Sequence, residues 1–294
     1  DGTRLGLREG DEPQFDPAVL TEGNKTYLYT AFCGVNMKDR HGAMATVLGP
    51  DMLTIEEEPV FIVPGNVYSK GTSFEDHAFF EASSIRKVGD TYYFIYSSEV
   101  MHELCYATSK NPRKDFVYRG VIVSNCDLGI SSYKPADMPA AYGANNHGGI
   151  EFINGDYYIF YHRHTNGTWY SRQGCAEKIS FDENGMIRQV EITSCGLNGG
   201  PLRDNGTYEA RIACHLYSKN GTTESLAEQQ DENHPAFTQE GEDRECDPNQ
   251  YISNMRDGAT AGYRYFSFET ASKISVKTRG TGEGVMIVKD GREP

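Results

Sequence analysis

The feature that most constrains what this chain can fold into is a repeat. Three segments share one pattern: FDPAVLTEGNKTYLYTAF over 15–32, FEASSIRKVGDTYYFIYSS over 80–98 and NHGGIEFINGDYYIFYHR over 146–163. Each reads as an apolar strand opened by a polar residue, a short turn bearing Gly or Asn, and an aromatic-rich strand. Tyr27, Tyr92 and Tyr157 hold the same place in each unit, 65 residues apart. The opening polar residues Asp16, Glu81 and His147 are spaced by 65 and 66.

Further strands follow each pair. After the first come GAMATVLG (42–49) and VFIV (60–63); after the second come LCYATSK (104–110) and FVYRGVIV (116–123). After the third come WYSRQGCAEKISF (169–181) and MIRQVEI (186–192). Four short antiparallel strands per unit, with no amphipathic helix between them, predict the blades of a β-propeller. The expected class is therefore all-β, with about three blades visible over 1–203. Three blades do not close a ring, since propellers have 4–8. The first blades, about 130 residues at this period, are expected to lie upstream of residue 1.

Blade geometry turns spacing into chemistry. Innermost strands line the propeller axis, so residues that open them converge at one end of it. Asp16, Glu81 and His147 should then face a common cleft. Two carboxyl groups in a concave site suit glycosidic cleavage, where an acid protonates the leaving oxygen and a base activates water. The charge balance agrees. With 28 basic and 42 acidic side chains the formal charge is -14, which repels nucleic acid and anionic membranes and favours a neutral partner. No run of about 18 apolar residues marks a membrane-spanning helix.

At these residues the chain is similar to glycoside hydrolase family 43. The resemblance rests on FDPAVL with KTYLYTAF, on FFEASSIRKVGDTYYFIYSS, and on NNHGGIEFINGDYYIFYHR with YSRQGCAEKISFDENGMI. It implies a five-bladed propeller that cleaves terminal α-L-arabinofuranosyl or β-D-xylosyl linkages of hemicellulose with inversion and no organic cofactor. By position it makes Glu81 the general acid and Asp16 the residue that orients the acid and tunes its pKa. It makes Arg172 and His147 sugar-binding residues, and His147 a ligand of a calcium ion in the central channel. Many relatives carry Glu-Gly-Pro where this chain has Glu81-Ala82-Ser83. A protonated Glu81 requires a raised pKa, and the charge of Asp16 with partial desolvation would raise it. The general base is expected upstream of Asp1; within the chain only Asp1 and Asp11 precede Asp16 as candidates. A fragment lacking the base is expected to be impaired, and a non-catalytic glycan-binding propeller is the alternative reading.

From about residue 204 to 294 the repeat gives way to shorter strands: TYEARIACHLYS (207–218), YISNMRDG (251–258), GYRYFSFE (262–269), KISVKTRG (273–280) and GVMIVKDG (284–291). Their spacing predicts a partial β-sandwich. It resembles a family 6 carbohydrate-binding module through its Tyr-Glu-Ala opening, its Tyr-Ile-x-Asn strand and its Arg-Gly-x-Gly-x-Gly turn. Tyr251, Tyr263 and Phe266 would be core or sugar-stacking residues. The stretch from Glu224 to Asp247, with nine carboxylates and one Arg, reads as a solvated loop.

Seven cysteines, none in a CxxC pair and none closer than 19 residues to the next, predict neither a disulfide framework nor a structural zinc site. Unpaired cysteines favour a reducing, cytoplasmic setting, although export is compatible with the sequence. His102-Glu103 lacks the second histidine of a zinc-protease motif.

Overall fold

The computed structural model describes residues 12–289, apart from positions 35, 37, 223–231 and 242–248. Asp1, Asp11 and Cys246 therefore lie outside the described residues. The first repeat forms a four-stranded antiparallel sheet of β1 (Gln14–Glu22), β2 (Lys25–Cys33), β3 (Arg40–Leu48) and β4 (Ile55–Pro64), in that order. The second forms a like sheet of β5 (Phe79–Val88), β6 (Thr91–Ser98), β7 (Glu103–Ser109) and β8 (Val117–Ser124). These are two propeller blades, each with its first strand innermost.

The third blade departs from expectation. β9 (Gly149–Ile153), β10 (Asp156–His164) and β11 (Arg172–Ile179) form a sheet of three strands, and residues 186–192 add no fourth. Ile187 still makes a single antiparallel bridge with Phe181, and beyond it the chain leaves the blade. The amide of Val190 donates to the carbonyl of Ile122 at 2.8 Å, and Val190 forms a parallel bridge with Val123 of β8. Tyr106 holds the same crossing: its hydroxyl accepts from the amide of Ile187 at 2.8 Å and donates to that residue's carbonyl at 3.2 Å.

Apolar faces between neighbouring blades make the core. Tyr29, Ala31, Val47 and Val63 of the first blade pack with Phe79, Phe94 and Tyr96 of the second. Ile95, Leu104, Tyr106 and Ile122 of the second pack with Ile150, Ile159 and Tyr161 of the third. Alternation along β6 sends Phe94 and Tyr96 to one neighbour and Tyr93 and Ile95 to the other. Burying aromatics on both faces of one strand explains why β6 reads as an unbroken apolar run, TYYFIYSS, rather than an alternating one. At roughly 25 cal/mol per Å² of apolar surface, these faces are the main favourable contribution to the fold.

In its described residues, the region from Leu202 on is not a sandwich of two sheets. Among the described residues it forms three two-stranded ribbons: β12 (Leu202–Arg203) with β17 (Phe266–Ser267), β13 (His215–Tyr217) with β16 (Thr260–Gly262), and β14 (Ala236–Gln239) with β15 (Gln250–Ser253). The strands expected over 273–280 and 284–291 are not formed: residues 273–289 carry no strand and are exposed, including Ile274, Val276, Val285 and Ile287. A strand needs a partner for its backbone N–H and C=O groups, and here none is placed beside them. β14 arises within the stretch that reads as a solvated loop, where Phe237 is buried under the Arg163 guanidinium, 3.7 Å above its ring.

The boundary at residue 203 is bridged by buried polar contacts. The Arg264 guanidinium lies 3.4 Å above the ring of Tyr133, pairs with the fully buried Asp127 at 2.6 Å and donates to the carbonyl of Ile192. Burial pushes the Asp127 carboxyl up, and its bonds from Tyr133, the Ile192 amide and Arg264 only partly offset that. The pair thus locates the C-terminal region on the second blade rather than adding much net stability.

Two predictions follow from these buried charges. Arg264→Ala strands the Asp127 carboxylate without its cation and should cost about 3–5 kcal/mol in urea unfolding, whereas a comparable Arg256→Ala at an exposed pair should cost under about 1 kcal/mol. Glu177 on β11, bonded by Tyr161 and Thr193, is pushed up to about 7 by burial. The folded protein then binds more protons than the unfolded chain between the ordinary value and about 7, so stability falls as pH rises through that window. Glu177→Gln should flatten this decline and raise Tm above pH 7, as read by thermal unfolding across pH.

Candidate active site

The site is built where the inner strands of the three blades begin. The register of β1 on β2 breaks between Phe15 and Ala18, and that of β5 on β6 breaks twice, between Phe79 and Glu81 and between Glu81 and Ser84. Such bulges re-aim side chains that a regular strand would send into the sheet faces. They have a backbone cost. Asp16 stands at φ 49° and Ala82 at φ 67°, a left-handed conformation that costs non-glycine residues about 1–2 kcal/mol. Ala82 occupies the place where the family resemblance has glycine. A hydrogen bond compensates: the Ala82 amide donates to Oδ2 of Asp16 at 3.1 Å.

His147 arrives from the turn ahead of β9. The chain there must run close to β10, because a Cβ on Gly148 would lie 1.8 Å from the carbonyl oxygen of Phe160. The two asparagines before it anchor the turn. Asn146 donates to the carbonyl of His102 at 3.2 Å and accepts from the amide of His162 at 3.2 Å. Asn145 bonds the ring of His164 and also the carboxylate of Glu81.

The three residues predicted to converge do so. Nε2 of His147 lies 2.9 Å from Oε1 of Glu81 and 3.7 Å from Oδ2 of Asp16. Their donor atoms all fall within 4.8 Å of one another. Glu81 is the most enclosed, its side chain 15% exposed against 29% for His147 and 30% for Asp16.

The electrostatics correct one expectation. Burial alone raises the Glu81 pKa, but the hydrogen bond and charge of His147, with the bond from Asn145 and the charge of Arg40, outweigh it and hold the carboxyl below its ordinary value. Asp16 was expected to raise it; the imidazole set between the two carboxylates wins instead. As for the implied calcium ion, two carboxylate oxygens and one imidazole nitrogen fall short of the 6–8 oxygens such an ion takes. These three residues do not by themselves make a calcium site.

Arg172, at the start of β11, is exposed, and its Nε donates to the carbonyl of Trp169 at 3.2 Å. It touches neither carboxylate through a bond in this structure, yet its charge reaches the site, being among the causes that lower His162. His162 is the residue sequence reasoning missed. It is buried on β10, its ring 5.7 Å from that of His147 and 5.4 Å from that of His164. Neither ring nitrogen has a hydrogen-bond partner in the structure. Burial, then the charges of Arg172, His147 and His164, lower its pKa to about 2, so the ring is neutral at ordinary pH. The alternation of histidines in YHRH on an inward strand was the available signal.

Residues 3–187 match the family model Glycosyl hydrolases family 43. A xylosidase/arabinosidase of Thermoclostridium stercorarium is 61% identical over 98% of this chain and 61% of its own length. A xylosidase/arabinosidase of Bacteroides ovatus is 31% identical over 64% of this chain and 65% of its own. The chain thus spans about three fifths of the length of these relatives. Among solved structures, a family 43 β-xylosidase/α-arabinofuranosidase from a compost microbial metagenome, in complex with xylotriose, aligns with TM-score 0.47 at 25% identity, covering 60% of this chain and 58% of that one.

Removing the imidazole leaves burial as the main influence on Glu81. His147→Ala should therefore raise the Glu81 pKa above its ordinary value, read by carboxyl ¹³C titration with Glu81→Gln identifying the signal; an unmoved titration would refute the assigned cause.

Proposed function

The chain belongs to glycosyl hydrolases family 43, and on that premise we propose that it is the catalytic portion of an inverting glycosidase that removes terminal arabinofuranosyl or xylosyl units from hemicellulose. The observation that carries this reading is the Glu81–His147–Asp16 cluster: two carboxyl groups and an imidazole from three successive repeats, with donor atoms within 4.8 Å of one another. The xylosidase/arabinosidase names of its relatives, the 61% identical one above all, give the sugar class.

Glu81 is the proton donor to the leaving oxygen. In the free protein the imidazole of His147, its Nε2 2.9 Å from Oε1, holds Glu81 toward its ionised form. A sugar seated over the cluster excludes water, which favours the neutral carboxylic acid and returns the proton to Glu81. Asp16 holds the strained turn at Ala82 and keeps the catalytic carboxyl in place through that amide. Its carboxylate also lies 3.7 Å from Nε2 of His147 and helps hold that ring against Glu81. His162, neutral and buried with both ring nitrogens unpartnered, lines the site behind His147. Arg172 swings from Trp169 to the sugar hydroxyls, where its fork binds two oxygens at once.

Inversion needs a second carboxylate about 6.5–9.5 Å from Glu81 to activate water. Asp16 is too close to leave room for that water, so the base is a carboxylate outside this cluster. The low pKa of Glu81 favours a second reading, a propeller that binds glycan without cleaving it.

One assay separates the two. With aryl arabinofuranoside and aryl xyloside, Glu81→Gln should lose about 10²–10⁴ in turnover, least with good leaving groups. Because Glu81 must be protonated to act, kcat/KM should fall as pH rises through its pKa, and His147→Ala should move that basic limb upward. Turnover absent from the wild type, together with glycan binding retained, would establish the binding reading instead.

A further inference from the structure

A second cluster of titratable groups lies in the middle blade, shares no residue with the Glu81 cluster, and is used by none of the roles assigned above. His77 stands two residues ahead of β5, Ser98 ends β6, and Glu103 and Cys105 lie on β7. Nδ1 of His77 is 2.6 Å from Oε1 of Glu103, Sγ of Cys105 is 3.2 Å from the same oxygen, and Sγ to Nδ1 is 3.9 Å. Ser98 Oγ bonds that oxygen too. Three donors thus crowd a single carboxylate oxygen, which has only two lone pairs to offer. Glu103 and Cys105 are buried, while the His77 side chain is 30% exposed and opens the cluster to solvent. Tyr118 stacks on the His77 ring at 4.8 Å and 11°, and the Tyr96 hydroxyl donates to the His77 carbonyl at 2.8 Å, so the ring is held in its orientation.

We propose that His77, Glu103 and Cys105 form a zinc site. One nitrogen, one thiolate sulfur and one carboxylate oxygen are the donor types zinc takes, and three protein ligands leave a fourth position for water. The separations of 2.6, 3.2 and 3.9 Å bracket the edges of about 3.3–3.6 Å that zinc bond lengths give a tetrahedron. A cation replaces the protons that compete for Oε1: binding one Zn²⁺ releases the Cys105 thiol proton and the proton shared by His77 and Glu103. The filled site clamps the lead-in of β5 to β7 and so fixes the strand that carries Glu81. Cysteine spacing in the sequence gave no sign of it, because only one of the three ligands is a cysteine and His77 lies 26 residues before Glu103.

Cobalt(II) is the probe. One equivalent added to the metal-free protein should give thiolate-to-cobalt charge-transfer absorption that Zn²⁺ then displaces. Cys105→Ser should abolish the band, Cys175→Ser should keep it, and His77→Ala should weaken affinity at least about 10-fold. In the wild type, with no substitution to disturb folding, Zn²⁺ at about 100 times its Kd should slow alkylation of Cys105 by iodoacetamide about 100-fold. Metal held by Asp16, Glu81 and His147 has no sulfur ligand and gives neither signal. Absence of the band, its survival in Cys105→Ser, or an unchanged alkylation rate would overturn the proposal.

Discussion

Packing between blades is the constraint on which the rest depends. Tyr29, Phe79, Phe94 and Tyr96 sit at the seam of the first two blades, with Phe79 and Phe94 rings 6.1 Å apart and Phe94 and Tyr96 rings 6.1 Å apart. Close-packed aromatic faces fix the separation and angle of neighbouring sheets far more tightly than any surface contact does. Asp16 and Glu81 are remote in sequence and share no strand. They meet because the seam holds β1 against β5, and the next seam holds β5 against β9.

The cluster itself rests on a balance of opposing effects. Enclosure acts to neutralise Glu81, while the imidazole of His147 acts to keep it ionised, and in the free protein the imidazole prevails. The two influences respond differently to an occupant. Excluding water strengthens the first and draws on no rearrangement of the blades. A carboxyl whose charge state depends on what fills the cleft suits an acid catalyst better than one fixed in either form. Backbone strain at Asp16 and Ala82 belongs to the same design, since it is by these left-handed residues that the bulges aim the carboxyl groups at the axis.

Much of this was legible in the sequence, and the reason is periodicity. A repeat of 65 residues ties Asp16 to Glu81, and nearly the same interval ties Glu81 to His147, so blade geometry alone brings them together. Strands β1 to β11 follow the alternation and aromatic runs that announced them. The fourth strand of the third blade did not form, because past the bridge of Ile187 to Phe181 the chain bonds the second blade at Val190, and partner choice is a tertiary matter that local pattern does not encode. The C-terminal strands failed for the same reason: residues 273–289 have strand-forming side chains, yet no strand pairs with their backbone. The depressed pKa of Glu81 was hidden because it turns on 2.9 Å between side chains of different blades. His162 was passed over because an inward histidine on a strand most often reads as core, and only its unpartnered nitrogens set it apart.

The crossing at Val190 has a mechanical meaning. By leaving one blade to hydrogen-bond the next, the chain laces adjacent modules together with main-chain bonds rather than side-chain packing alone. A lace of this kind transmits displacement: a shift of the third module pulls directly on the outer strand of the second. The propeller here is accordingly less a set of separable wedges than a seamed fabric, in which loosening one panel frays its neighbour.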